Sequence, residues 1–388
     1  MKIGILVDEL IPGGFQKVAI MEAKYFNKLG HEATLVVLHR IKNEGYEDLI
    51  KENNIRVIRL SDRLPLLLKI NFKFPFFAFF SFFHIFYPTF IWRYIGMDEF
   101  DFFVTHGTYT AFSSIAIKKK LKIPFISFIH DSITYILENK YRDKFPNGVF
   151  VALLSVAKRL DRKIINNSDA VIAFPDMIKE MKEICPAYQN YHEIFNGCEA
   201  IKEAEINFNK SHFAIAVTKW DQGKNFGFLL DIWNSSNIKI PLKVIGSFYP
   251  TTLRDEMEQL INKKGLNGIV EIVGQVTEEE LSKYYRNAKF LVHPCREAFG
   301  LTILESSANG CPAIFTNNSG VAILYPSVVR DRLPMENDLR EYSKGIAYLT
   351  GLGEDDYYNL VKDCYAIAVH NSWASHSEQI LGYMDNLK

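Results

Sequence analysis

Two glutamates, Glu297 and Glu305, bracket the start of a predicted helix in the stretch His293 to Pro312, HPCREAFGLTILESSANGCP. An apolar strand over Lys289 to Val292 leads into a loop that carries Glu297. Phe299 and Gly300 follow, and a helix from about Leu301 holds Glu305 in its first turns. Gly310 stops the helix and Pro312 comes two residues later. The N–H groups at a helix N-terminus have no intrahelical partner and carry partial positive charge. The backbone from Phe299 through Gly300, Leu301 and Thr302 therefore suits a phosphate. Carboxylates beside it suit the hydroxyls of a sugar or a ribose. Together these are groups for binding a nucleotide-sugar.

Other residue types with chemical use sit at the ends of predicted strands. Lys219 and Lys224 follow strand His212–Val217 in VTKWDQGKN. They can neutralise a departing diphosphate, or be two solvated lysines on a loop. Gly13 and Gly14 follow the first strand, where glycines let the backbone approach a ligand and expose N–H groups. His130 ends FISFIH at the carboxyl edge of a sheet. Its imidazole either faces the cleft or caps the next helix. His106 ends a second strand in VTHGT and is a candidate on the acceptor side; His84, in an aromatic run, reads as structural. Gly246-Ser247 and Gly274-Gln275-Val276 are turns at two further strand ends.

Strand-length apolar runs alternate with helical patterns, which reads as parallel α/β. The first half gives Lys2–Val7, Ala33–Val37, Arg56–Leu60, Phe102–Thr105, Phe125–Ile129, Ala170–Phe174 and His192–Phe195. A polar stretch, Glu199 to Ser211, reads as a linker. The pattern restarts with His212–Val217, Leu242–Ile245, Val270–Val273, Phe290–Val292 and Ala313–Phe315. The predicted domains are 1–198 and 199–370, with a terminal helix over 371–388. Open α/β sheets bind ligands at the carboxyl ends of their strands, where all the residues above fall. The chain has no G-x-G-x-x-G and no Walker A loop, and no D-x-D pair to hold a metal-bound donor.

Glu297-Ala298-Phe299-Gly300 through Glu305 resembles the E-x-F-G-x-x-x-x-E hallmark of the retaining GT-B glycosyltransferases of family 4, the group 1 glycosyl transferases. The resemblance implies two Rossmann-like domains facing each other across a cleft: an acceptor-binding first domain and a nucleotide-sugar-binding second one. It implies that Glu297 hydrogen-bonds the donor sugar, Glu305 holds the ribose, and Lys219 and Lys224 bind the diphosphate. The family usually has Arg where Lys219 stands, so a point charge replaces a bidentate fork. Gly13-Gly14 resembles the glycine loop over the donor phosphate. His130 corresponds to a histidine that positions the donor sugar. Gly246 resembles the glycine turn of the second domain, and Gln275 and Val276 the main chain that meets the nucleobase. The terminal helix is implied to cross back to the first domain. The expected reaction needs no metal or other cofactor, and the leaving phosphate takes the acceptor's proton. A non-catalytic sugar-nucleotide-binding subunit, or an epimerase or phosphorylase on the same fold, remains an alternative.

Composition bounds the partners. The 388 residues suit two domains, and 45 basic against 45 acidic residues leave no field to attract nucleic acid. Five scattered cysteines lack C-x-x-C spacing, which points away from zinc and towards a reducing compartment. The opening MKIGILV reads directly as a strand, so the expected location is cytoplasmic. Between Phe72 and Phe90 lie ten phenylalanines, with Lys69, Lys73, Trp92 and Arg93 at the flanks. Phe72–Trp92 reads either as a buried helix pair or as an interfacial surface for a membrane and a glycan or lipid-linked acceptor.

Overall fold

The computed structural model describes residues 1–11, 13–38, 45–59, 99–235 and 240–387. They form two compact units, Met1–Phe195 with His376–Lys388, and Asn196–Ser375.

The first unit is built on a parallel sheet. Its described strands are β1 (Lys2–Val7), β2 (Glu32–Val37), β3 (Arg56–Arg59), β4 (Phe102–His106), β5 (Phe125–Phe128), β6 (Ala170–Ala173) and β7 (Tyr191–Glu193). They lie in the order β3-β2-β1-β4-β5-β6-β7. The connecting helices are α1 (Gly14–Lys28), α2 (Glu47–Glu52), α3 (Thr108–Leu121), α4 (Ile133–Lys140), α5 (Asn147–Asn167) and α6 (Pro175–Ile184). Strands covered on both faces need unbroken apolar runs. In β1, Ile3, Ile5, Leu6 and Val7 are all fully buried.

The second unit repeats the plan. Strands β8 (Ala214–Val217), β9 (Leu242–Ile245), β10 (Val270–Gly274), β11 (Phe290–His293) and β12 (Ala313–Phe315) lie in the order β10-β9-β8-β11-β12, again all parallel. The helices are α7 (Phe226–Ser235), α8 (Leu253–Lys263), α9 (Glu278–Asn287), α10 (Leu301–Ala308), α11 (Ser327–Arg330), α12 (Leu339–Gly351) and α13 (Glu354–His370). A capping box between Thr277 and Glu280 starts α9. Trp220, Leu229, Leu230, Phe290 and Tyr342 fill the core. Full burial of such side chains contributes about 1.5–3 kcal/mol each. The last helix, α14 (Trp373–Asn386), begins in the second unit and continues in the first.

Each predicted strand is present; β1, β9 and β12 keep their predicted bounds, the predicted end Leu60 lies outside the described residues, and the other strands differ by one or two residues at one or both ends. The reasons are local: the Phe213 N–H turns back to the Ser211 carbonyl at 2.9 Å, so β8 starts at Ala214 rather than His212. The predicted linker Glu199–Ser211 is not a solvated tether. It makes a short 3₁₀ turn at Glu203–Glu205, and Ile206 packs with Tyr357 and Val361 of α13. His84 and the aromatic segment Phe72–Trp92 lie outside the described residues. Among the described residues no helix is long and apolar enough to cross a membrane.

Candidate functional site

In the second sheet the strand order reverses at β8, which pairs with both β9 and β11. Loops leaving the carboxyl ends of β8 and β11 therefore meet at the switch point. The first loop carries Lys219 and Lys224, the second Cys295 and Glu297. Asp221 accepts from the Gly223 N–H at 2.8 Å and starts a 3₁₀ turn that ends at Lys224. That turn sets the Lys224 ammonium on Oε1 of Glu297. His293, the last residue of β11, brings its Nε2 to 3.0 Å from the same oxygen. Its ring is almost fully buried, and its carbonyl accepts the Tyr342 hydroxyl at 3.2 Å.

Both donors converge on Oε1 and neither engages Oε2. Burial alone would raise the Glu297 carboxyl. The hydrogen bond and charge of His293, with the charge of Lys224, outweigh it and hold the group at about 2. Burial would lower the Lys224 ammonium, but Glu297 raises it above its ordinary range. The pair is ionised at neutral pH. A carboxylate held so low can accept hydrogen bonds but cannot serve as a general acid there.

Gly300 opens α10 at φ 102°, ψ 55°, where a side chain would be strained. A Cβ there would also lie 3.0 Å from Ile303 Cδ1. Phe299 is buried and its carbonyl accepts the Val321 N–H at 2.7 Å, so its side chain serves the core. Leu301 and Thr302 are the first helical residues, and Glu305 lies half-buried one turn on. Gly246 follows β9 at φ 130°, and a Cβ there would sit 1.9 Å from the Thr218 carbonyl oxygen. This close approach is clamped by bonds from Trp220 N–H to Ser247 O and from Tyr249 N–H to Trp220 O, both 2.8 Å. It sets the Lys219 ammonium 5.5 Å above the Tyr249 ring. The structure thus groups Lys224, His293 and Glu297 and places Lys219 with Tyr249. Gln275, exposed, and Val276, half-buried, follow β10.

His293, Cys295 and Glu297 bring metal-ligand atoms within 4.8 Å of one another. An ammonium already lies on the carboxylate, and burial pushes the Cys295 thiol up to about 12. These groups fit a hydrogen-bonded anchor better than a cation site.

In the first unit, Gly13 is half-buried and its N–H donates to the Tyr46 hydroxyl at 3.1 Å; Gly14 is exposed at the start of α1. One expectation needs correction. His106, expected on the acceptor side, is completely buried, so no acceptor can touch it. Its Nε2 is 2.7 Å from Glu22 and its Nδ1 is 3.1 Å from Nε2 of His130. His130 itself is half-buried and stacks on Phe128, with ring centroids 4.4 Å apart. Burial pushes its pKa well below the ordinary histidine range, so it is neutral.

Sequence reasoning did not single out Glu22, His293 or His376. A signal existed for Glu22, the one carboxylate among the buried residues of α1, whose others are Gln16, Val18, Ala19, Ile20, Met21, Ala23 and Phe26. His293 ends β11 four residues before Glu297, and the loop between them turns back to bring the two side chains together.

Sequence comparison matches Glycosyltransferase Family 4 over residues 12–183 and Glycosyl transferases group 1 over residues 199–334. Two uncharacterized glycosyltransferases of Methanocaldococcus jannaschii are 27% and 24% identical over 210 and 250 residues, or 53% and 58% of this chain. Those matches span 52% and 60% of the relatives' own length. Among solved structures, Anabaena HepE in complex with UDP and glucose superposes with a TM-score of 0.76 over 100% of both chains, at 15% identity. At that identity the likeness shows the fold, which is GT-B with two Rossmann-like domains. With both halves matched and the fold shared, the chain belongs to the group 1 glycosyl transferases.

Proposed function

We propose that this protein transfers a hexose-like sugar from a nucleoside diphosphate donor, UDP- or GDP-linked, to an acceptor hydroxyl of a glycan or lipid-linked glycan. The anomeric configuration is retained and no metal takes part. The observation that carries this reading is Glu297, ionised beside the N-terminus of α10 and anchored through one oxygen by Lys224 and His293. Its second oxygen accepts donor sugar hydroxyls. Glu305 accepts from the ribose. Lys224, Lys219 and the N–H groups of Leu301 and Thr302 take the diphosphate, and Lys224 stabilises the charge that grows as the sugar departs. His130 positions the sugar. Glu297 and His130 both hold protons weakly, so neither is a good base. The leaving phosphate receives the acceptor proton instead. HepE, solved with UDP and with UDP-glucose, supports a nucleotide-sugar as ligand.

The test is a thermal-shift screen against UDP-, GDP- and ADP-sugars, since a ligand of the native state raises its melting temperature. One nucleotide series is expected to raise it. No response to any of them at millimolar concentration would overturn the proposal.

A further inference from the structure

Resting on the reading of His130 as a sugar-positioning residue, we infer that Glu22, His106 and His376 are positioning residues that fix His130 in its Nε2–H tautomer. It then offers a ligand hydroxyl an acceptor nitrogen, Nδ1, rather than a donor.

Four side chains of the first unit pass hydrogens along one chain of contacts. His376, on α14, has Nδ1 2.8 Å from the Phe195 carbonyl oxygen, which can only accept. That nitrogen carries a hydrogen. Its Nε2 lies 2.9 Å from Oε1 of Glu22, and the other Glu22 oxygen lies 2.7 Å from Nε2 of His106. An ionised carboxylate only accepts, so both of these nitrogens also carry hydrogens. His376, protonated at both positions, is an imidazolium. With Glu22 it forms one buried, neutral pair, both side chains being shut off from solvent.

His106 is the next link. A second imidazolium would leave a net positive charge in a site walled by Phe128, whose ring lies 5.3 Å from His106 and 6.0 Å from His376. Uncompensated buried charge is strongly disfavoured. His106 is therefore neutral. Its one hydrogen is on Nε2, and Nδ1 is a lone pair. That lone pair faces Nε2 of His130 at 3.1 Å, which must supply the hydrogen. A neutral imidazole has one N–H, so His130 Nδ1 is left as an acceptor. Burial would raise the Glu22 carboxyl, yet its histidine partners hold it at about 2, so it is an ionised acceptor.

A network that only satisfied buried polar groups would not tie the tautomer of His130 to a distant ring. This one does. His376→Phe keeps the ring shape but removes the cation beside Glu22. His106 should then become the counter-cation, donate from Nδ1, and turn His130 into its Nδ1–H tautomer.

The experiment is long-range proton–nitrogen NMR of the full chain labelled with ¹⁵N-histidine at neutral pH, with signals assigned by their loss in single histidine variants. In the wild type we expect His130 and His106 as neutral Nε2–H tautomers and His376 as an imidazolium. In His376→Phe we expect His130 to switch, with kcat falling about tenfold, the worth of one hydrogen bond, and nucleoside diphosphate affinity unchanged in calorimetry. A wild-type His130 carrying its hydrogen on Nδ1, a neutral His376, or an unswitched His130 in a folded His376→Phe protein would each overturn the inference. If His376→Phe does not fold, the wild-type spectrum decides alone. If the tautomers are as stated but His130→Gln leaves sugar transfer unchanged, the tautomer assignment stands and the sugar-positioning reading fails.

Discussion

Replacing Lys224 with methionine removes the ammonium that meets Glu297 and keeps most of the aliphatic stem. Two consequences of different size follow. In the free protein, Glu297 keeps His293 and loses its second donor. The two partners together take the carboxyl from its ordinary 4.5 to about 2 against the effect of burial, a displacement worth about 3 kcal/mol. His293 contributes more of it than Lys224 does. A quarter of the Glu297 side chain and a fifth of Lys224 remain exposed, so solvent screens the pair and the share lost is about 1 kcal/mol. For a unit of this size the melting temperature should fall by about 2–4 °C. The catalytic consequence is larger. A preorganised cation at a developing diphosphate charge is worth about 10²–10³-fold in kcat, and the loss should appear in kcat more than in KM. Initial rates with a donor found by thermal shift, beside a melting curve of the same preparation, measure both. A Lys224→Met enzyme with kcat within about threefold of wild type would refute the assignment of Lys224 to the leaving group. A change confined to KM would do the same.

Glu305→Ala should weaken nucleoside diphosphate binding by about 1.5–3 kcal/mol, because the ribose loses a charged acceptor; equal calorimetric affinity in a folded variant would remove the ribose role. Transfer should survive EDTA, since lysines and a helix N-terminus carry the phosphate charge; loss on chelation with recovery on adding magnesium or manganese would contradict this. Gly246→Ala should cost at least about 2 kcal/mol, because its Cβ would lie 1.9 Å from the Thr218 carbonyl at φ 130°; an unchanged melting temperature would show that the β9 turn relaxes freely. Glu22 and Glu297 both have carboxyls lowered from 4.5 to about 2. Their contribution to stability is complete above pH 4.5 and lost as pH falls towards 2. Urea unfolding at a series of pH values should show that loss, and in Glu22→Gln a smaller slope over the same window.

The strands were legible because both sheets are parallel and covered on both faces, so each strand is a short apolar run between helices. Their ends were less legible. A backbone turn such as Phe213 to Ser211 leaves no mark in composition. Glu297 and Lys224 could be named because each lies at a fixed place in a motif. Their contact could not, because it depends on β8 and β11 being neighbours, which sequence order does not show. The Glu22 network was hidden for the same reason: α1, β4, the loop after β5 and α14 each contribute one residue, and no spacing links Glu22 to His376. His106 misled because a histidine at a strand end looks the same in sequence whether it faces solvent or a buried carboxylate.

The central claim is retaining transfer from a nucleoside diphosphate sugar held by Glu297, Lys224 and Glu305. Real-time proton NMR of donor turnover tests it most directly, by reading the anomeric coupling of the first product before it equilibrates. With the nucleotide-sugar selected by thermal shift, the account predicts a product with the anomeric configuration of the donor, and loss of that signal in Lys224→Met. A first-formed product of inverted configuration, or equal turnover by the variant, would contradict it.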